Sequence, residues 1–181
     1  MERLAPGFLI AMPQLGDPNF QRSVVLMIEH SAKGSMGLVV NRASPLTLAE
    51  VADGQKLDLS LARRTDAVYL GGPVEPYRGF VLHDDAGVEE RVSVLPGLYL
   101  SVTNDALKPL LASGSTRLRF CLGYAGWGPS QVEKELEEGS WLFTEASARA
   151  ILELPAEELW AQTLKGMGVD PAMLMISKGM N

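Results

Sequence analysis

From Ser23 to His30 the chain carries an unbroken apolar stretch, Val-Val-Leu-Met-Ile, and that stretch limits the possible folds more than any other feature. A strand apolar at every position, not only at alternate ones, is buried on both faces. A small turn at Gly34–Gly37 leads into a second run, Met36–Asn41. Together the two predict a hairpin at the centre of a sheet. Further strands are expected at Gly7–Met12, Ala67–Leu70 and Leu98–Val102, where branched and aliphatic residues cluster between turn signals. Gly79–His83 and Glu89–Leu95 are expected to pair around Asp84-Asp85-Ala86-Gly87. Arg117–Leu122 alternates Leu118, Phe120 and Leu122 with Arg117, Arg119 and Cys121, the pattern of a half-buried strand.

Helices are marked by their ends. Thr47-Leu-Ala-Glu50 and Ser130-Gln-Val-Glu133 have the spacing of capping boxes, in which a hydroxyl accepts an orphan backbone N–H and a carboxylate reaches back. They predict helices over about 48–52 and up to about 138. Thr103 caps a third over Asn104–Ala112, which Pro109 should bend or shorten. Two more are expected near Ala146–Glu153 and Pro155–Lys165. Strands mostly in hairpin order, interspersed with short helices, give an α+β domain with a mostly antiparallel or mixed sheet. No repeat or linker divides the 181 residues, so the expectation is one domain.

Composition narrows the function. The formal net charge is −6, and the sixteen Lys and Arg are scattered, with Arg63-Arg64 their only adjacent pair. From Gln131 to Trp160 there are eight acidic residues and two basic ones. Affinity for nucleic acid comes largely from cations that displace counterions from phosphates, so a nucleic-acid partner is not expected. Apolar runs such as Phe8–Met12 and Val24–Ile28 are five residues long, against the roughly 20 of a membrane-spanning helix. The first residues show no signal-peptide pattern, and the single cysteine, Cys121, suits a reducing compartment; a cytoplasmic location and no membrane partner are expected.

Three segments then stand out: Phe8-Leu-Ile-Ala-Met-Pro13 through the Ser23–His30 strand to Gly34-Ser-Met-Gly-Leu-Val-Val-Asn41; Leu70-Gly-Gly-Pro-Val74 with Arg78-Gly-Phe-Val-Leu-His83; and Leu122-Gly-Tyr-Ala-Gly-Trp-Gly128 continuing through Gln131 and Glu135 to Trp141. In order and spacing they resemble the AlgH/YqgE family of bacterial proteins over essentially the whole chain. Ser35, Ala43 and Ser130 depart from the residues common there, namely Ala, Pro and Gly. The resemblance implies a split sheet rolled into a partial barrel with flanking short helices. It implies no established activity, although some members are labelled transcriptional regulators.

Candidate site residues lie mainly at strand ends and glycine-rich turns. Gly123-Tyr-Ala-Gly-Trp-Gly128 is expected to be a loop between a strand and a helix N-terminus, where free N–H groups would receive an anion walled by Tyr124 and Trp127. Gly123, Gly126 and Gln131 belong to the same candidate site. Gly71 and Gly72, before Pro73, need only a turn, although a close backbone approach to a ligand would also demand them, and Asn41 ends a strand. Arg78 and His83 make a possible anion clamp and acid/base pair, with Asp84 and Asp85 expected to favour protonated His83. On an alternating strand the two face opposite ways unless Gly79 bends it. Asn41 and His83 have bland readings as well, backbone hydrogen bonding and a strand end. Cys121 reads as an inert or mildly oxidisable thiol, and Trp141 and Trp160 as core. Phosphate-loop, nucleophile-elbow and zinc-protease motifs are absent, and no metal or cofactor is expected.

The expectation is a non-catalytic module that binds a small ligand or a protein. The alternatives are a hydrolase acting on an anionic substrate, with His83 as its catalytic group, and the DNA-binding regulator of the family's label.

Overall fold

The computed structural model describes residues 3–114 and 116–173. Ten strands form its sheet: β1 (Gly7–Ala11), β2 (Val24–Ser31), β3 (Gly34–Val39), β4 (Ala43–Thr47), β5 (Ala67–Leu70), β6 (Val74–His83), β7 (Val92–Leu95), β8 (Leu98–Ser101), β9 (Leu118–Trp127) and β10 (Trp141–Thr144). The main path runs β10-β1-β2-β3-β9-β6-β8-β7, with β5 beside β9 and β4 beside β5. Every pairing is antiparallel except β5 with β9. The sheet curls into a half-barrel flanked by short helices: α1 (Leu48–Gly54), α2 (Asn104–Ala112), α3 (Gln131–Glu137), α4 (Ala148–Leu152) and α5 (Ala156–Gly166).

The β2–β3 hairpin lies inside the sheet, as its apolar run requires. Val24, Val25, Leu26 and Met27 are all fully buried. Val24 and Leu26 meet Leu159, Trp160 and Leu164 of α5 in one core. Val25 and Met27 meet Trp127, Val132 and Trp141 in a second core on the opposite face. A third lies under α2, where Leu107, Leu110 and Leu111 pack on Val68, Val81 and Phe120. Burying one such side chain contributes roughly 1.5–3 kcal/mol.

Several local expectations need correction. Ser31 pairs with Gly34, so the hairpin turn is Ala32-Lys33 and Gly34 already belongs to the strand. β6 does not pair with β7; its neighbours are β8 and β9, and β7 instead forms a hairpin with β8 around Pro96-Gly97. Arg119 and Cys121, expected on a wet face, are buried, so β9 is covered on both sides. Arg119 donates to the carbonyl of Val40 at 2.6 Å and lies over the ring of Tyr69, which is how a cation is kept there. The largest change concerns the glycine-rich segment. Residues 123–127 continue β9, and Ser35, Met36 and Gly37 pair with Trp127, Gly126 and Ala125.

Caps agree in part. Thr47 accepts from the Glu50 amide, and Thr103 accepts from that of Ala106. The α2 helix runs through Pro109 to Ala112 without being shortened. Ser130 takes a left-handed conformation and makes no side-chain cap, so the second capping box does not form.

Candidate functional site

The half-barrel leaves a broad groove of about 890 Å³. That is in the size range of small-molecule sites, roughly 300–1,000 Å³. Its existence follows from the packing of the first core. Toward α5 this face is sealed, but Ile28, Met36, Val102 and Tyr124 are only partly buried and line the opening together with Phe80 and Leu100. Arg78 stands at the rim with its guanidinium 5.1 Å from the centre of the Phe80 ring, and Phe80 meets Tyr124 edge-on at 5.9 Å. Arg78 and Phe80 are two residues apart on β6, which puts both on one face.

Gly126 also lines the groove, and nothing in the fold requires glycine there. Its φ is not positive, and a Cβ would meet only Tyr124 and Val74 side-chain atoms, both at 3.9 Å. The contrast is with Gly72, where a Cβ would fall 2.2 Å from the Tyr124 carbonyl because the chain crosses over β9 there. Gly71 and Gly123 belong to the same crossing, each with a Cβ position 2.3 Å from the other strand's backbone oxygen.

Of the candidate residues named from the sequence, the structure brings Arg78, Tyr124, Gly126 and Trp127 together around this groove. The others go elsewhere. Asn41 accepts from the Val24 amide and donates to the Arg22 carbonyl, both at 2.9 Å, tying two strand ends. The backbone that Gly71, Gly72 and Gly123 let approach is the protein's own. Gln131 accepts from the Gly128 amide and donates to Glu135. Its helix, α3, is seven residues long and follows a strand, so the expected anion-receiving loop is absent.

His83 is fully buried and lies on the face of Val81, not of Arg78 and Phe80, as unbent alternation requires. Its Nδ1 accepts from the Asp85 amide at 3.1 Å, so Nε2 carries the proton and donates to Ser101 Oγ at 2.9 Å. Ser101 Oγ in turn donates a hydrogen bond to the Glu90 carbonyl at 2.6 Å. Asp85, Asp84 and Glu90 do favour the charged imidazole, but desolvation outweighs them and its pKa falls below the ordinary 6.5. The two aspartates thus act in the direction expected from the sequence, and burial, which the sequence did not show, sets the net direction.

Two networks were not visible as such in the sequence. Glu135 accepts from the indole N–H of Trp127 at 3.3 Å and of Trp141 at 3.0 Å, joining residues that share one motif. His30 lies 3.1 Å from Glu133 through Nε2 and 2.6 Å from Ser35 Oγ through Nδ1, which ties α3 to the central hairpin. Ser35 stands at the groove's margin with its hydroxyl engaged by that imidazole. The apolar groove floor was also missed, because Ile28, Met36 and Phe80 cannot be told from core residues by type. Among the described residues no group of three or more His, Cys, Asp or Glu could hold a metal ion. Nor is any helix among them long and apolar enough to cross a membrane.

A family model described as AlgH-like matches residues 8–172. The chain belongs to the AlgH family. Among AlgH-family relatives, a UPF0301 protein of Myxococcus xanthus is 66% identical over the full length of both chains. Another, from Cupriavidus metallidurans, is 42% identical over 92% of this chain and 90% of its own. The solution structure of the AlgH protein of Pseudomonas aeruginosa superposes with a TM-score of 0.76 at 35% identity, covering 97% of each chain. A crystal structure from Corynebacterium diphtheriae, at 22% identity, shares the fold with a TM-score of 0.72 over 92% of this chain and 88% of that one. The AlgH fold is thus the curled, half-barrel sheet with short helices described above.

Proposed function

We propose that this AlgH-family chain is a non-catalytic binding module of the cytoplasm, and that the groove beside β9 is where its ligand sits. The observation that supports this most is the uncovered apolar trough, in which Gly126 leaves clearance that the fold does not need. Apolar surface left open beside a fixed cation is the usual makeup of a site for a small organic molecule. The groove's lining contains neither imidazole: His83 is locked under the β6 and β8 ends, and His30 faces Glu133. Duplex DNA suits the chain poorly, because the surface from Gln131 to Trp160 carries eight acids and two bases.

One arrangement favours a second reading. Ser35 Oγ lies 2.6 Å from His30 Nδ1 and His30 Nε2 lies 3.1 Å from Glu133, the residue types of an acyl-transfer enzyme, although that nitrogen makes no hydrogen bond to the carboxylate. The two readings separate cleanly. A metabolite screen followed by amide-shift mapping should give a saturable ligand whose shifts cluster at Arg78, Tyr124, Gly126 and Trp127, with no turnover. A fluorophosphonate probe should leave Ser35 unlabelled. Stoichiometric labelling of Ser35 in the folded protein would replace the binding reading with the enzymatic one.

A further inference from the structure

Resting on the groove as the binding site, we infer that its ligand is an amphiphile with one negative charge, an apolar chain ending in a carboxylate. Arg78 supplies the charge recognition. Its guanidinium carbon lies over the Phe80 ring, 5.1 Å from the centre, and Phe80 meets Tyr124 edge-on, so the cation stands beside the apolar floor. A planar guanidinium presents paired N–H donors that match the two oxygens of a carboxylate. Its present partner is Glu75, through a single contact of 3.3 Å with both side chains about half exposed, 50% and 53%. Exposed pairs of this kind contribute little, so a ligand carboxylate delivered by an apolar body can take Glu75's place.

The other charges on the rim limit the ligand's charge. Lys33 adds a second cation, while Glu29 and Glu90 add two acids. Glu90 Oε2 already accepts from the Val102 amide, the Thr103 amide and the Thr103 hydroxyl, which fixes its carboxylate in place. Lined by equal numbers of acids and bases, the groove suits a single negative charge better than a phosphate dianion. The body of the ligand lies over Gly126, between Met36 and Val74, where a side chain on residue 126 would fill the space.

The test uses the full chain and three ten-carbon probes: decanoate, decanol and decylammonium, titrated with tryptophan fluorescence and amide shifts as readouts. Decanoate should bind about fivefold more tightly than decanol, a difference of about 1 kcal/mol and the upper end for an exposed ion pair, and decylammonium least. In Arg78→Gln the preference for decanoate should collapse to within about twofold while decanol is unaffected, as expected when one exposed charge is removed. Gly126→Val should abolish binding of all three and keep the wild-type unfolding midpoint. Equal binding of decanoate and decanol to the wild type would overturn the charge assignment and leave the groove reading intact. Failure of all three probes to bind would overturn both. Tighter binding of decylammonium would reverse the sign of the recognised charge.

Discussion

His83 shows how one side chain can hold several segments by hydrogen bonding alone. The imidazole accepts from the start of the 84–91 connection and donates to β8, and Ser101 carries the link on to Glu90. Removing it leaves a buried hydroxyl and amide to find other partners and opens a cavity. His83→Ala should therefore cost about 2–4 kcal/mol of stability. Burial holds the folded pKa below the ordinary 6.5, so between the two values the unfolded chain binds the extra proton. Stability from this group is then fully present above about pH 6.5 and is lost as pH falls toward the folded pKa. Urea unfolding at about pH 7.5 and about pH 5 should show the wild type losing stability on acidification. His83→Gln should be less stable at the higher pH and flatter between the two. A variant as steep as the wild type would assign the pH dependence to other groups.

At the scale of elements, β9 and the chain that crosses it give two glycines opposite roles. Gly72 is pressed against the β9 backbone with a φ of +154°, so Gly72→Ala should cost about 3 kcal/mol or more. At Gly126 a Cβ would meet only ordinary van der Waals contacts at 3.9 Å, so Gly126→Ala should change stability by no more than about 0.5 kcal/mol. Equilibrium unfolding of the two variants decides this, and equal destabilisation would refute the distinction. The same pair explains what the sequence made legible. Strand interiors such as Val24–Met27 were readable, because a run apolar at each position has few other places to go. Residues 123–127 were misread as a loop, because glycine signals a turn locally while here it lets strands cross or leaves a face bare. β4 and β10 were also not read, since Ala43–Thr47 contains Pro45 and stays largely exposed, and Trp141–Thr144 is four residues long. Of the candidate site, Arg78 and the Tyr124–Trp127 stretch were within reach of sequence reasoning. Their grouping with Ile28, Met36 and Phe80 depends on sheet curvature, which no local pattern records.

For the whole molecule, β9 is the common member of all three cores. Cys121 belongs to the first, Trp127 to the second and Phe120 to the third. None of the cores can open while this strand keeps its partners β3, β5 and β6, so the domain should unfold as one unit. Burial pushes the Cys121 thiol up to about 12, and Arg119 two residues away only partly offsets that. Thiolate is thus scarce at neutral pH, and the sulfur has no surface at all. A disulfide-forming dye should leave the native protein unmodified and react in urea at a rate that climbs in step with the loss of tryptophan fluorescence. Prompt reaction without denaturant would show that β9 peels away by itself. The lone sulfur then works as a tamper seal, broken only when the entire wrap comes undone, and it would time that event with no label added.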